Sequence, residues 1–66
     1  MTDINTQFKS AMLEFDVTQT LLGRYCGLEH SRVSRALTEE VPFDGTEKKL
    51  IEETIVAMRS IQAEMP

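Results

Sequence analysis

The sequence predicts an all-α fold, a compact four-helix domain in which two short helices meet across a tight turn. Three observations predict it. Apolar residues recur at helical spacing, the three glycines and two prolines stay out of the long periodic stretches, and β-branched residues are scattered instead of alternating with polar ones as a half-buried strand requires. At 66 residues the chain has room for one domain and no second lobe. A domain of this size buries only about 60% of the surface its unfolded chain exposes.

The first helix is expected over about residues 3–15, where Ile4, Phe8, Ala11, Met12 and Phe15 line one face of a 3.6-residue period. Asp16 and Val17 form a joint. Thr18 is a good N-cap, because its hydroxyl can accept from an otherwise unpaired amide of the next turn. It opens a second helix over about 18–26, carrying Leu21, Leu22, Tyr25 and Cys26. Gly27 stops that helix, glycine being the residue that enters the left-handed conformation cheaply. A third helix follows over about 30–38, with Val33, Ala36 and Leu37 inside.

The stretch TEEVPFDG, residues 38–45, has no period and reads as a loop, with Val41 or Phe43 tucked under the core. Asp44 followed three residues later by Glu47 forms a capping-box pattern, so the last helix should run over about 46–64. Its apolar set, Leu50, Ile51, Ile55, Ala57, Met58, Ile61 and Met65, is wider than one face of a small domain needs. Ile55, Met58 and Ile61 are therefore expected to form a homodimer seam, against the plainer reading that the stripe only covers the first helix and the loop.

Two helices three residues apart with glycine at the turn must cross steeply, their apolar residues meeting inside the angle. Gly23 falls at the close approach, and Leu22, Cys26, Leu28, Val33 and Ala36 fall on inward positions. His30, Ser31, Arg32, Ser34 and Arg35 are left largely outward. The segment LGRYCGLEHSRVSRAL, above all its RYCGL and VSRAL portions, resembles the helix-turn-helix of the lac-repressor family, and the preceding Thr18-Gln19 resembles the opening of that motif in Cro-type, phage-repressor-like regulators. The likeness covers about twenty residues. A lac-type repressor continues into a hinge and a sugar-binding domain, for which these 66 residues leave no room, so the second group is the better fit. That resemblance implies a dimeric, sequence-specific transcriptional regulator, usually a repressor, binding double-stranded DNA.

Charge supports the same reading independently. The formal net charge is −4, yet residues 18–37 carry three Arg against one Glu, whereas residues 38–66 carry three basic against seven acidic groups. Phosphate neutralisation supplies most non-specific affinity for DNA, so such a chain should hold random duplex weakly and depend on base contacts. With the third helix in the major groove, His30, Ser31, Arg32 and Arg35 are the expected base readers, since Arg can grip guanine O6 and N7 with two hydrogen bonds. Glu29 joins them as a group that can accept from cytosine N4. Gln19, Arg24 and Ser34 are expected at phosphates, Gln19 also by the resemblance. Lys48 and Lys49, at the positive end of the last helix, hint at a phosphate nearby.

No nucleophile, base and oxyanion donor can be assembled around a pocket, so an enzyme is not expected. Cys26 and His30 fall short of the three or four ligands zinc needs, and neither cofactor nor small-molecule ligand is expected. A lone cysteine, no apolar run near ~20 residues and a start without signal-peptide order lead to the expectation of a cytoplasmic protein without a membrane partner. The rival reading is a protein-binding module of the same fold, of antirepressor or antitoxin type.

Overall fold

The computed structural model describes residues 3–64. It contains α1 (Ile4–Phe15), α2 (Gln19–Tyr25), α3 (His30–Leu37) and α4 (Gly45–Glu64), and no strand among the described residues. Each helix end lies within one residue of the position read from spacing and caps, the ordinary latitude of a helix terminus. Met65, expected on the stripe of the last helix, lies outside the described residues.

The helix starts are held by side chains that accept otherwise unpaired amides. Asp3 accepts from Thr6 N–H at 2.8 Å and Thr18 from Leu21 N–H at 3.1 Å. The Thr6 bond holds the Asp3 carboxyl below the usual carboxylate range. At α4 the capping box closes in both directions: Glu47 N–H donates to Asp44 at 2.8 Å, and Asp44 N–H donates to Glu47 at 3.0 Å. The ends of α2 and α3 share another device, a residue in the left-handed conformation that turns two amides back onto the last carbonyls. At α2 it is Gly27, φ +78°, with Leu28 N–H on Gly23 O at 2.9 Å and Gly27 N–H on Arg24 O at 3.0 Å. At α3 it is Glu39, φ 66°, with Glu40 N–H on Arg35 O and Glu39 N–H on Ala36 O.

Phe8 and Ala11 of α1, Leu22 and Cys26 of the α2 end, Val33 and Ala36 of α3, and Ile51 and Ile55 of α4 form one buried cluster. Phe43 joins it from the loop and packs on Phe8 with ring centroids 6.3 Å apart, while Val41 remains half exposed. α1 packs on α4 and α2, and α2 packs on α3. Two polar ties reinforce this: Asn5 Nδ2 donates to Ala36 O at 3.0 Å, and Arg59 makes two 2.9 Å bonds to Glu14. The Arg59 guanidinium holds the exposed Glu14 carboxyl below its ordinary range.

One expectation for α4 is overturned. Ile55, expected in a dimer seam, is only 5% exposed within the single chain and belongs to the core. Met58 is half-buried against the same cluster, whereas Ile61 is 61% exposed. Helical spacing defines a face but not its width, and α1 with Phe43 covers more of α4 than the pattern alone reveals.

Of the three glycines only Gly23 is closely packed: a Cβ there would lie 3.1 Å from Val33 Cγ2. Val33 is fully buried, and a β-branched side chain in a helix has little rotamer freedom with which to yield. Gly23→Ala would gain about 1 kcal/mol in helix propensity but incur roughly 1–3 kcal/mol of overpacking. We expect a net loss of about 1 kcal/mol by urea unfolding, relieved when Val33→Ala is added; additive losses would show that the two side chains do not meet.

Candidate nucleic-acid interface

The candidate surface is built on the α2–α3 pair. α2 ends on Gly27, Glu29 stands at the N-cap of α3, and Glu29 O accepts the first helical bond from Val33 N–H at 3.0 Å. The Gly23–Val33 contact and the burial of Leu22 and Ala36 fix the crossing, so α3 turns its other side to solvent. Glu29, His30, Ser31 and Arg35 are exposed along it, and Ser34 is half-buried. On the flanking α2, Arg24 is exposed and Gln19 half-buried at the first residue of the helix.

Glu29 makes no side-chain cap bond to its own helix, so its carboxylate remains available to solvent or a ligand. The His30 ring is oriented by a 3.0 Å hydrogen bond between Nδ1 and the hydroxyl of Thr20. Nε2 is then the ring nitrogen left for an external group. Thr20 is a positioning residue that sequence reading missed. It stands ten positions from His30, and only the crossing angle of α2 and α3 brings the two together.

Arg32 departs from expectation. Its helical position predicts a base contact, but its guanidinium is committed within the chain: Nε donates to Glu47 at 2.8 Å, Nη2 to Glu47 and to Pro42 O, and Nη1 to Val41 O at 2.7 Å. The same group lies over the Phe43 ring at 5.5 Å. Four of the five N–H donors of an arginine are thus engaged, and the one remaining cannot make a two-bond grip on a guanine edge. Arg32 is a strut between α3, the 38–44 loop and α4. Its outward helical position hid this, because its partner Glu47 is fifteen residues away and already counted as a cap.

The free positive charge of the surface is therefore small. Among the described residues Arg32 and Arg59 are ion-paired, whereas Arg24 and Arg35 are not. Lys48 and Lys49 are exposed at the start of α4, but Lys48 shares a shallow groove with Asp3 and Glu39 and so stands among carboxylates. Cys26 is buried, its thiol pushed up by desolvation with a smaller opposing effect from the Thr54 hydroxyl. Among the described residues no three His, Cys, Asp or Glu side chains converge. No helix among them is long and apolar enough to cross a membrane.

The different surroundings of the two α3 arginines separate in stability. Arg32 and Glu47 side chains are 25% and 14% exposed, so Arg32→Ala leaves a partly buried carboxylate and two loop carbonyls without their donor. We expect a loss of about 2 kcal/mol, or roughly 10 °C in Tm for a domain of this size. Arg35→Ala should stay within about 0.5 kcal/mol of the parent. Thermal unfolding of the two variants measures the contrast; equal effects would mean that the Arg32 strut does not form.

The chain matches no model of a known protein family, no characterised protein and no solved structure.

Proposed function

We propose that the domain is a sequence-selective, double-stranded DNA-binding regulator, a small cytoplasmic repressor that acts as a pair of copies and places the front of α3 in the major groove. The observation that carries this reading is the α2–α3 crossing itself. Gly23 against Val33 and the left-handed Gly27 fix a short helix that exposes Arg35 in its last turn and, at its front, the turn carrying Glu29, His30 and Ser31. Such a turn is the part of a recognition helix that meets base edges. Arg35 is the main reader, His30 and Ser31 serve single hydrogen bonds, and Arg24, Gln19 and Ser34 stand at the sides for phosphates. Arg32 supports the reading helix from behind.

The loss of Arg32 as a reader favours one competitor, a module of the same shape that binds a protein. With Arg24 and Arg35 the unpaired cations of the α2–α3 pair, and Glu39 and Glu40 exposed at the end of α3, the surface is less basic than its sequence segment suggests. Selection from a random duplex pool separates the two readings. Enrichment of a palindromic site, its half-sites about 34 Å apart or a simple multiple, is the outcome expected of a DNA reader; no enrichment at low salt would sink it.

On the selected site, Arg35→Ala should lose about 1–3 kcal/mol of binding, roughly 5- to 150-fold, with selectivity relaxed at one position. Arg24→Ala should weaken selected and random duplexes by the same factor. Titrations of both variants against both duplexes test the division of roles, which would be wrong if the two variants behaved alike.

Glu29 generates a separate expectation. A carboxylate facing a duplex repels phosphates, and here it does not cap its own helix, where Ser or Thr would. It acts as a discriminator, penalising random duplex and recovering the loss where a cytosine amine meets it. Glu29→Ser should tighten random-duplex binding while lowering the ratio of selected to random affinity. An equal rise in both at fixed salt would show that Glu29 reads no base.

A further inference from the structure

Beside its buried face, α4 carries a second row: Leu50, Thr54, Ala57 and Ile61, spaced four, three and four. Apart from Thr54, whose hydroxyl meets the Cys26 thiol, the row is largely uncovered within the chain. Leu50 is 39% exposed, Ala57 is exposed, and Thr54 is half-buried above Cys26. At its C-terminal half the row borders an open groove of about 570 Å³, lined by Phe15, Val17 and Tyr25 as well as Ala57, Met58 and Ile61.

We infer that this row is the seam with a second copy of the chain, the two α4 helices packing antiparallel about a two-fold axis. The spacing reads the same in both directions. When the helices are opposed about the middle of the row, Leu50 meets Ile61 of the other copy and Thr54 meets Ala57, so every contact is made twice, as a closed two-fold interface requires. The small residues fall at the centre and the large ones at the ends, which lets the axes approach closely where they cross. Each Leu50 then enters the partner's groove beside Ile61 and Tyr25.

Charge selects the direction. Lys49, Glu53, Ser60 and Glu64 lie along the outer flank of the row, all exposed. In an antiparallel pair Lys49 comes alongside Glu64 of the other copy, and Glu53 comes alongside Ser60. A parallel pair would carry the two copies of this flank to opposite sides of the seam, so Lys49 and Glu64 could not meet, and flanking charges of this kind decide helix orientation. The seam thus differs from the Ile55, Met58 and Ile61 set expected from sequence, and keeps only Ile61 from it.

This pairing refines the two-copy part of the DNA-binding reading, and it is tested without DNA, so either can fail alone. The full-length chain is made as two single variants, Leu50→Cys and Ile61→Cys, with the wild type as control for the buried Cys26. Along α4 the two positions are about 16 Å apart, and a disulfide needs Cα atoms within about 7 Å. Under mild oxidation a mixture of the variants should form the mixed disulfide, while neither variant alone links to itself. Self-linked Leu50→Cys, or no mixed disulfide from a chain that sediments as a monomer over its soluble range, overturns the inference. In parallel, Ala57→Glu should shift the sedimenting species to monomer with helical circular dichroism unchanged and the concentration dependence of Tm lost; a dimer that survives it also overturns the inference.

Discussion

The arrangement of the domain turns on one guanidinium. Arg32 leaves α3, crosses the face of Phe43, takes the carbonyls of Val41 and Pro42 and ends on Glu47 in the first turn of α4. Glu47 meanwhile caps that helix by accepting from Asp44 N–H. Without this network the start of the 38–44 loop would still be held by its bonds back to the end of α3, but its second half would be fixed to the core by Phe43 and the Asp44–Glu47 cap only. A buried cluster of nine residues provides little redundancy, so a partly buried, multiply bonded ion pair counts here for more than an exposed one such as Arg59–Glu14.

What was legible in the sequence is local. Thr18 and Asp44 announced helix starts, Gly27 announced a left-handed end, and Gly23 announced a close approach, because each depends on chemistry within a few residues of itself. The interior partners Leu22, Val33 and Ala36 followed from helical period in the same way. What escaped depends on distant pairings. Arg32 looks outward on a helical wheel drawn for α3 alone, and only the return of the chain through Phe43 to Glu47 turns that position into an inside one. Ile55 looks like surplus stripe for the converse reason, since the packing of α1 on α4 and the rest of the buried cluster enclose it. Glu39 gave no signal, because a glutamate at a left-handed helix end, which costs a non-glycine residue about 1–2 kcal/mol, is not the residue type that such a position usually selects.

The strut also reshapes the electrostatics of the outward face. Three arginines within residues 18–37 suggest a basic ridge, but pairing one of them with Glu47 leaves Arg24 and Arg35, flanked by Glu29 and the Glu39–Glu40 corner. A surface with so little free positive charge gains little from counterion release. For a DNA reader this shifts the work from phosphates to base edges, for which the Glu29 carboxylate is unengaged by its own helix and the His30 ring is already oriented by Thr20.

Magnitudes then connect the reading helix to the α4 row. A good two-bond base contact discriminates by about 1–3 kcal/mol, and one copy offers a single free arginine on α3 for it. Specific recognition stands about 4–10 kcal/mol above random binding, more than that one contact and a few single hydrogen bonds supply. Two copies on a rigid spacing double the base contacts, and each site then adds to the other only if the distance between the two α3 helices is fixed. The covalent and packed path from one α3 to the next would run through Arg32 to Glu47, along α4, and across Thr54 and Ala57 to the second copy. Within one copy every link in it is a helix or a multiply bonded contact. In a DNA reader built this way, Arg32 would contact no base and would instead hold α3 at a set distance from the proposed two-fold axis.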